Sequence, residues 1–564
     1  MTEIPAPVQA KDWTVDLLVV GSGTGLATAL AARERGLDVL VVEKTKYVGG
    51  STARSGGAYW IPANPVLLRD GGIDTHERGL TYIGNVVGDT SPQPRWEAFM
   101  RHGDETIRML ERTTPLTFFW AEGYSDYHPE TPGGDAAGRS CEPKPFDLRE
   151  LGDQRPRFRP ATMEAPVPMP VTGADYKWMN LMMKTPLKSI PKIVRRVIQG
   201  MGGLAIKREY SAGGQAIAGG MYAGVINAGI PVWTEASLKR LVTEGDAVVG
   251  AVIEQGGREV IVTTRKGVVL AAGGFDHNME LRQRYQSESL KRDLSLGAEG
   301  NTGDTLAMAE EVGAELANLD QAWWFPAVHP STPDGAPAIL LAERSLPGSL
   351  IVDKSGRRFL NESTDYMSFG QKVLEREKAG DPVGDIWLIF DQEYRNSYVF
   401  AGGVFPRQPL PQAWYDAGIA AKASSPAELA SAIGVDRKAL EETVERFNLL
   451  AGAGVDEDFQ RGNSAYDRYY GDPTQTPNPN LRPLSGKLYA VKMVVSDLGT
   501  CGGVMTDEHG RAVTSSGEPV KGLYAQGNAA ANVFGHSYPG AGATISQGLV
   551  YGYIIAKHAA ETTA

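Results

Sequence analysis

The sequence of 564 residues has little cysteine and little histidine: two cysteines, Cys141 and Cys501, and eight histidines. Two cysteines are too few for a disulfide framework or a cysteine zinc site, and they are typical of a reducing compartment, so we expect a cytoplasmic protein. The histidines form no HExxH and no pair four residues apart, and GxSxG is absent. We therefore expect no metal site and no serine hydrolase, and we expect chemistry that depends on an organic cofactor.

Long apolar runs and excess positive charge are also missing. No window reaches ~18 uninterrupted apolar residues, and the first residues, MTEIPAPVQAKDW, lack a basic segment followed by an apolar core. We expect neither a membrane-spanning helix nor a secretory leader. The 56 Lys and Arg residues against 67 Asp and Glu leave a net charge of −11, which argues against a nucleic-acid partner because phosphate binding needs a broad basic surface.

Glycine, in contrast, is abundant: 67 residues, against an average usage of roughly 7%. The glycines occur in short clusters separated by ordinary apolar and charged sequence. Such clusters indicate places where the backbone approaches a ligand.

The first cluster lies in a segment that predicts a βαβ unit. Residues 15 to 45 contain an apolar run, the turn GSGTG, an alanine-rich helix and a second apolar run that ends at Glu43. Glycines in such a turn let the backbone approach a pyrophosphate at the helix N-terminus, and a carboxylate about twenty residues on binds ribose hydroxyls. The third glycine of GxGxxG is replaced by Leu26, with Gly25 one place early, and at this point either NAD or FAD fits.

Three further segments favour FAD. Residues 49 to 57 follow Glu43 closely and supply glycines and hydroxyls for a second ring system, and similar clusters occupy residues 270–274 and 522–528. The ordered set resembles the FAD-binding pattern of the fumarate reductase and succinate dehydrogenase flavoprotein superfamily. The predicted cofactor residues are Gly21, Ser22, Gly23, Thr24, Gly25, Glu43, Lys44, Gly50, Ser51, Thr52, Ser55, Gly56, Gly57, Ala272, Gly273, Asn301, Asp304, Gly527, Asn528, Ala543, Thr544 and Ile545.

The pattern along the chain predicts an α/β protein with two domains. A discontinuous Rossmann-type FAD-binding domain with a parallel sheet is expected from residues 1–320 and 500–564, and an inserted α+β catalytic domain from residues 321–499, with an exposed helix near 426–452. Three or more strand-like segments between about residues 210 and 270 are expected to rejoin the parallel sheet, and a helix to follow residue 543.

A basic and apolar excursion occupies residues 145–210. Between residues 176 and 208 it carries eight basic residues and no acidic one: Lys177, Lys184, Lys188, Lys192, Arg195, Arg196, Lys207 and Arg208. One interpretation is a helical excursion with a solvated basic face. The other is a peripheral membrane contact, with apolar groups inserted and basic groups facing anionic lipid.

Motifs over nearly the whole chain narrow the resemblance. In the succinate and fumarate enzymes a histidine precedes the threonine of HxTxGG, whereas SDLGTCGG at 496–503 has none. The segments GGSTARSGG, GYSDYHPETPGG, GNTGD, SAYDRYYGDP, SDLGTCGG and SYPGAGATI instead resemble those of 3-ketosteroid 1-dehydrogenases. That resemblance implies FAD-dependent removal of hydrogens from C1 and C2 of a 3-ketosteroid in steroid degradation, with an electron acceptor that the resemblance does not name.

The same resemblance implies the catalytic residues Tyr127, Tyr366, Tyr538 and the N–H of Gly542. Removal of a C2 proton requires donors at the C3 oxygen, which Tyr538 and Gly542 supply. Tyr366 is the expected base, and because the ordinary pKa of tyrosine is ~10, a second hydroxyl on Tyr127 is expected to assist it. Hydride from C1 passes to flavin N5, and the helix beginning at Ala543 stabilises the reduced flavin.

Three alternatives remain open from the sequence. A 3-ketosteroid 4-(5α)-dehydrogenase would desaturate a neighbouring bond, and an enoate reductase of the fumarate reductase kind is disfavoured by the missing histidine. A non-catalytic sterol-binding flavoprotein is disfavoured by the three tyrosines in separate motifs. Trp323, Trp324 and Phe325 are candidates for an apolar wall or for ordinary core.

Overall fold

The computed structural model describes residues 13–161 and 167–562. Residues 1–12, on which the expectation of no secretory leader mainly depends, lie outside the described residues.

A parallel sheet forms the centre of the first half of the protein. Strand Trp13–Val20 pairs in parallel with Val39–Val42 on one side and with Arg258–Leu270 on the other, and Pro519–Ala525 extends the sheet beyond Leu270. These strands are apolar on both faces because helices cover one side and a β-layer the other. The predicted α/β fold with a parallel sheet is confirmed.

The remaining strands of this sheet complete its edges. Ala236–Glu244, Ala247–Gln255 and the first half of Arg258–Leu270 form an antiparallel meander, as the sequence predicts. Val232–Trp233 adds to one edge and Arg511–Val513 to the other.

Four helices cover one face of the sheet: Gly25–Glu34, Gln93–Thr113, Gly213–Asn227 and Ala543–Glu561. The last helix crosses the first so closely that a Cβ on Gly548 would lie 2.4 Å from Thr24 Oγ1. The other face packs against residues of the meander 236–262 and against helix Asp304–Glu311.

A second, antiparallel sheet is formed by residues between Ala322 and Thr500. Its strand order is Ala338–Ile339, Ala322–Val328, Leu488–Thr500, Ile386–Asp391 and Ser349–Val352, with Ala420–Ala423 also paired to Leu488–Thr500. Helices Tyr366–Lys378, Gln392–Ser397 and Gln412–Asp416 lie on one face. The division of the chain at residues 321 and 499 stays a prediction.

The prediction of a single exposed helix near residues 426–452 is wrong. Two helices, Pro426–Ile433 and Arg437–Ala453, occupy the segment and cover the other face of the second sheet. The first ends at Gly434, whose φ of 74° takes the chain out of the helix, and Asp436 caps the second.

Shorter elements connect these layers. The strands are Tyr59–Trp60, Phe118–Trp120, Ser140–Pro143, Phe146–Asp147, Tyr210–Ser211, Leu316–Ala317 and Gly503–Val504. The helices are Pro65–Arg69, His76–Val87, Met279–Tyr285 and Ala465–Tyr469, and the 3₁₀ turns are Gly50–Arg54, Leu148–Arg157, Glu343–Ser345 and Gly527–Ala529.

In the described residues of the basic excursion, 145–161 and 167–210, the α-helices are Gly173–Asn180 and Pro186–Ala205. The second exposes apolar side chains at helical spacing, a set we call the apolar stripe: Leu187, Ile190, Val194, Ile198 and Met201. The outer face of this helix is therefore both basic and apolar, whereas a helix with a merely solvated basic face would expose few apolar side chains. Within 13–161 and 167–562, no helix is long and apolar enough to cross a bilayer.

Candidate active site

Four chain segments meet at one edge of the parallel sheet, where its strands end. Gly21 follows Val20, Glu43 follows Val42, Ala271 follows Leu270 and Gln526 follows Ala525. Because the carboxyl ends of parallel strands share an edge, the four glycine clusters of the sequence become neighbours there.

The turn Gly21 to Gly25 is held by close backbone packing. Gly21 has φ of 111°, and a Cβ there would lie 2.2 Å from the carbonyl oxygen of Ala271. A Cβ on Gly25 would lie 2.9 Å from Val19 Cγ1, so Gly25 performs the helix-to-strand packing that the fingerprint assigns to the next position. Leu26 is instead buried in the core and does not loosen the turn.

Glu43 is fixed by neighbours from both strands. Ser22 donates to its Oε2 from the backbone N–H at 3.2 Å and from Oγ at 2.6 Å, and Thr45 donates to Oε1 from its N–H and its hydroxyl, both at 2.9 Å. The carboxylate is thereby oriented at the end of the second strand, as a ribose site requires.

Two further pairs of predicted residues also come together. Asn301 Nδ2 donates to Ser51 Oγ at 2.9 Å, and a Cβ on Gly273 would meet Asn301 Oδ1. Lys44 Nζ lies 2.8 Å from Asp304 Oδ2, at the partly exposed rim of the site.

The loop 50–57 packs against the N-terminus of helix Gly213–Asn227, to which the sequence analysis gave no role. Gly214 N–H donates to the Ser55 carbonyl at 2.9 Å, and Gln215 Nε2 donates to the Ala53 carbonyl at 2.7 Å. A Cβ on Gly57 would lie 2.0 Å from the backbone of Gly213, and both residues have a positive φ. The contact therefore requires glycine at both positions. These glycines support the cofactor loop by close packing.

The donor set at this edge fits FAD. Helix Gly25–Glu34 starts after Thr24 and helix Ala543–Glu561 after Gly542, and neither of these two residues caps its helix with its own side chain. The free N–H groups of the first helix suit a pyrophosphate and those of the second suit the anionic edge of a reduced flavin. Between them a Cβ on Gly56 would meet no atom within 4 Å, and Gly527 lies beside Thr24.

Three tyrosines from distant segments form a buried cluster beside Gly542. The ring centroids of Tyr127, Tyr366 and Tyr538 lie 5.4, 5.1 and 5.2 Å apart pairwise. The Tyr127 hydroxyl donates to the Tyr366 hydroxyl at 2.9 Å. The Thr544 hydroxyl donates to the Tyr538 hydroxyl at 2.9 Å, and the Gly542 N–H also points to it.

Burial governs the protonation of this cluster. It raises the pKa of Tyr366 and Tyr127 well above the ordinary value, while hydrogen bonding from Tyr127 opposes the rise at Tyr366. Burial also raises the pKa of Tyr538, against hydrogen bonds from Thr544 and Gly542. Tyr538 is therefore a neutral donor at physiological pH, and Tyr366 is a strong base once ionised.

Strand Ala322–Val328 forms a wall of the cluster. Trp323 lies 4.7 Å from Tyr538 and Phe325 lies 4.7 Å from Tyr366, measured between ring centroids. Trp324 points to the opposite face and stacks with Arg282 at 5.4 Å, because side chains alternate along a strand. Two of the three candidate wall residues thus face the tyrosines.

The loop that carries Tyr127 is held by buried charges. Asp126 accepts from Trp60 Nε1 at 2.8 Å and pairs with Arg139, which also pairs with Asp74 at 2.7 Å. The Tyr127 N–H donates to the Pro539 carbonyl at 3.1 Å, which ties this loop to the one that carries Tyr538. The positions of these two tyrosines are therefore coupled.

Comparison with known proteins shows the family to which the chain belongs. The family profile described as "FAD binding domain" matches residues 16–545. A 3-oxosteroid 1-dehydrogenase of Mycobacterium tuberculosis is 42% identical over 97% of this chain and 98% of its own length. The chain belongs to the 3-oxosteroid 1-dehydrogenase family.

A solved structure and a second curated relative are also similar to this chain over nearly its full length. The crystal structure of 3-ketosteroid delta1-dehydrogenase from Sterolibacterium denitrificans, in complex with 1,4-androstadiene-3,17-dione, has a TM-score of 0.90 at 33% identity and covers 98% of this chain and 100% of that one. A 4-oxocyclohex-2-ene-1-carboxylate 5-dehydrogenase of Sinomonas cyclohexanicum is 35% identical over 97% of this chain and 93% of its own length. As a member of the 3-oxosteroid 1-dehydrogenase family, the protein is an FAD-dependent oxidoreductase.

Sequence reasoning gave no role to several tyrosines that the structure brings to this family's site. Tyr466, Tyr469 and Tyr470 come from the motif SAYDRYYGDP and pack around Tyr124 and Tyr127. Three tyrosines within five residues were the signal available in the sequence.

Proposed function

We propose that this protein desaturates the C1–C2 bond of 3-ketosteroids, with Tyr366 as base and Tyr538 and Gly542 as donors to the C3 oxygen. The observation that carries the proposal is the hydroxyl pair of Tyr127 and Tyr366, 2.9 Å apart, beside the glycine start of helix Ala543–Glu561. Base and carbonyl donors are thus adjacent, as α-proton removal requires.

The C3 ketone lies between the Tyr538 hydroxyl and the Gly542 N–H in this proposal. Gly542 has φ of 100°, and a Cβ there would lie 2.4 Å from Ala58, so glycine alone fits this turn and presents its N–H next to Tyr538. Both donors strengthen their hydrogen bonds as the oxygen gains enolate character, which lowers the barrier to proton removal.

Proton removal falls to Tyr366. Tyr127 donates a hydrogen bond to the Tyr366 oxygen and stabilises its phenolate form. The C2–H bond then breaks as the proton joins this phenolate oxygen. Bound FAD supplies the acceptor for the hydride that leaves C1. Trp323 and Phe325 provide apolar contact and exclude water from the reacting carbons.

The purified holoprotein, incubated with androst-4-ene-3,17-dione and an artificial electron acceptor, is expected to form the 1,4-diene. Product is identified by mass and by the absorbance of the cross-conjugated dienone. A flavin that dithionite reduces but the steroid does not would contradict the proposal.

Two alternative substrates distinguish neighbouring activities. Conversion of 5α-androstane-3,17-dione to the 4-ene as the faster reaction would identify a 4-(5α)-dehydrogenase. Turnover of 4-oxocyclohexanecarboxylate without turnover of the steroid would place the protein with the relatives that act on single-ring keto acids. Reduction of fumarate by reduced viologen would revive an enoate reductase.

We further propose that the protein is a cytoplasmic enzyme that contacts the membrane surface through helix Pro186–Ala205. Leu187 is 92% exposed and Ile198 65% exposed on the apolar stripe. Lys188, Lys192 and Arg195 are exposed on the same helix. Apolar groups with basic neighbours suit the interface of an anionic bilayer.

Two of the eight basic residues do not belong to this surface. Arg196 is buried and pairs with Asp175 at 2.6 Å. Lys177 is half-buried over the ring of Tyr469, at 4.2 Å, and burial lowers its pKa to about 8. A charge-reversal test must therefore leave Arg196 and Lys177 intact.

Reversal of Lys188, Lys192 and Arg195 to Glu is expected to weaken binding to vesicles of phosphatidylcholine and phosphatidylglycerol by at least about two orders of magnitude, since each basic residue contributes ~1 kcal/mol near such a surface and each Glu adds repulsion. Leu187→Asp is expected to weaken it by about tenfold. Co-sedimentation measures both, and steroid turnover without vesicles should not change.

The matched control is Leu449→Asp, because Leu449 is 66% exposed on helix Arg437–Ala453. It should bind vesicles as the unmodified protein does. Binding that is equal for all variants would contradict a contact through this helix.

A further inference from the structure

A buried aspartate lies behind the cofactor edge of the parallel sheet, outside the set of predicted cofactor residues. Asp276 is fully buried and follows the glycine pair 273–274 after strand Arg258–Leu270. Its Oδ1 accepts from the Thr500 N–H at 2.9 Å and from the Thr500 hydroxyl at 3.3 Å. Its Oδ2 accepts from Asn301 Nδ2 at 2.6 Å. Both oxygens of the carboxylate are therefore engaged by donors.

The carboxylate decides which way the Asn301 amide faces. An ionised carboxylate only accepts hydrogen bonds, so the amide atom that faces Asp276 must be the nitrogen. The amide oxygen Oδ1 then lies beside Gly273, where a Cβ would be 2.3 Å from it. None of the described residues donates a hydrogen bond to this oxygen. Oδ1 of Asn301 is therefore an acceptor at the cofactor edge.

The same amide also orients the Ser51 hydroxyl. Ser51 Oγ accepts from Asn301 Nδ2 and from the Ala298 N–H, both at 2.9 Å. A hydroxyl oxygen has two lone pairs and one hydrogen, so the hydrogen of Ser51 must point away from both donors. Ser51 is thus a donor that lies next to the acceptor of Asn301.

We propose that Asp276 is a positioning residue for FAD, which sets the hydrogen-bond polarity of Asn301 and Ser51. Oδ1 of Asn301 accepts a hydrogen from an O–H or N–H group of FAD, and the Ser51 hydroxyl donates to an oxygen or nitrogen of FAD. This inference rests on the predicted cofactor contacts of Ser51 and Asn301, and it does not depend on which substrate the enzyme desaturates.

Other buried charges lie around this aspartate. Asp497 accepts from Arg282 at 2.6 Å, and the same guanidinium donates to the Asp276 carbonyl at 3.1 Å. Burial and the charge of Asp497 raise the pKa of Asp276, whereas its hydrogen-bond donors and the neighbouring His277 oppose the rise. Binding is therefore measured at about pH 8, which favours the ionised carboxylate.

Asp276→Asn is expected to reverse the Asn301 amide. The Thr500 N–H is a backbone donor that cannot turn, so the oxygen of the substituted side chain stays with Thr500 and its nitrogen faces Asn301. Asn301 must then flip and present Nδ2 in place of Oδ1. We expect the Kd for FAD to rise about 10- to 100-fold, because one hydrogen bond is lost and a donor faces a donor. Flavin fluorescence on dilution of the holoenzyme measures the FAD released.

The swapped double variant Asp276→Asn/Asn301→Asp tests the direction of the amide. The nitrogen at position 276 then donates to a carboxylate at position 301, and an acceptor oxygen again lies beside Gly273. The Kd for FAD should fall about tenfold relative to Asp276→Asn alone. In an Asn301→Ala background, which has no amide to orient, adding Asp276→Asn should change the Kd by less than about twofold.

Gln286→Leu is the matched control. Gln286 is buried and accepts a hydrogen bond from Arg282 in the same network, but it contacts neither Asn301 nor Ser51. Its Kd for FAD should equal that of the unmodified enzyme. Ser51→Ala, a milder change at a half-buried position, should raise the Kd about fivefold through the loss of one donor.

Three results would overturn the inference: an unchanged Kd in Asp276→Asn or in Ser51→Ala, an equal rise with and without the Asn301 side chain, or a swapped variant that binds FAD no more tightly than Asp276→Asn. The second result would mean that Asp276 acts through the fold alone. Because FAD binding is measured without steroid, failure of the proposed desaturation would not alter any of these outcomes.

Discussion

Tyr366→Phe is expected to lower kcat by about 10²- to 10⁴-fold, the usual contribution of general base catalysis, while the protein still binds FAD. The ring of Tyr366 packs against Phe325 and Tyr538, and phenylalanine preserves both contacts. The variant loses only the oxygen that we propose receives the C2 proton. Stopped-flow bleaching of the flavin by androst-4-ene-3,17-dione measures the step directly.

A suitable control for this variant is Tyr466→Phe. Tyr466 is as deeply buried in the same cluster, and its hydroxyl has no partner among the described residues. Removing it should leave the bleaching rate near that of the unmodified enzyme. Equal losses in both variants would indicate general disturbance of the cluster and would count against Tyr366 as base.

Tyr538→Phe is expected to lower kcat by about 10²- to 10³-fold, comparable with the loss of one oxyanion-hole donor. The hydroxyl donates to an oxygen that gains charge only as the C2 proton leaves, so the loss should fall on kcat more than on KM. Steady-state kinetics at saturating steroid measure this division.

The pH profile distinguishes Tyr538 from Tyr366. Tyr538→Phe leaves the bond between Tyr127 and Tyr366 intact and removes a hydroxyl that raises the pKa of Tyr366, so the remaining activity should keep a rising limb that moves to lower pH. A raised KM with unchanged kcat would mean that Tyr538 binds ground and transition states equally and would contradict its role as a carbonyl donor.

The cofactor site was largely predictable because its determinants are local. A strand end, a glycine turn and a carboxylate twenty residues on specify one βαβ unit, and Gly21 and Glu43 occupy the positions so predicted. The misplaced third glycine was resolved only in three dimensions, where Gly25 contacts Val19. Side-chain packing between helix and strand, rather than spacing alone, decides which residue must be small.

The tyrosine cluster was only partly predictable because its members are far apart in sequence. Family motifs pointed to Tyr127, Tyr366 and Tyr538, whereas the contact of Tyr124 with Tyr470 joins residues 346 positions apart. No periodicity encodes such a contact. Its only trace was the unusual density of tyrosine in SAYDRYYGDP.

The basic excursion shows a different limit. Composition identified the positive segment, but not which side chains face outward. The structure turns Arg196 inward to Asp175 and leaves Leu187 outside, and helical phase together with one buried ion pair determines this choice. Likewise the split of the 426–452 helix follows from the left-handed Gly434.

The crossing of helix Ala543–Glu561 over helix Gly25–Glu34 has a consequence for biosynthesis. The strand Pro519–Ala525 and helix Ala543–Glu561 leave the ribosome after residues 13–518, yet the strand completes the sheet that begins at Trp13 and the helix covers it. Until then the edge of Val268–Leu270 is an unpaired apolar strand, which invites aggregation. We expect the nascent chain to depend on chaperones until residues 519–561 are synthesised, and the folded apoprotein to gain further stability when it binds FAD.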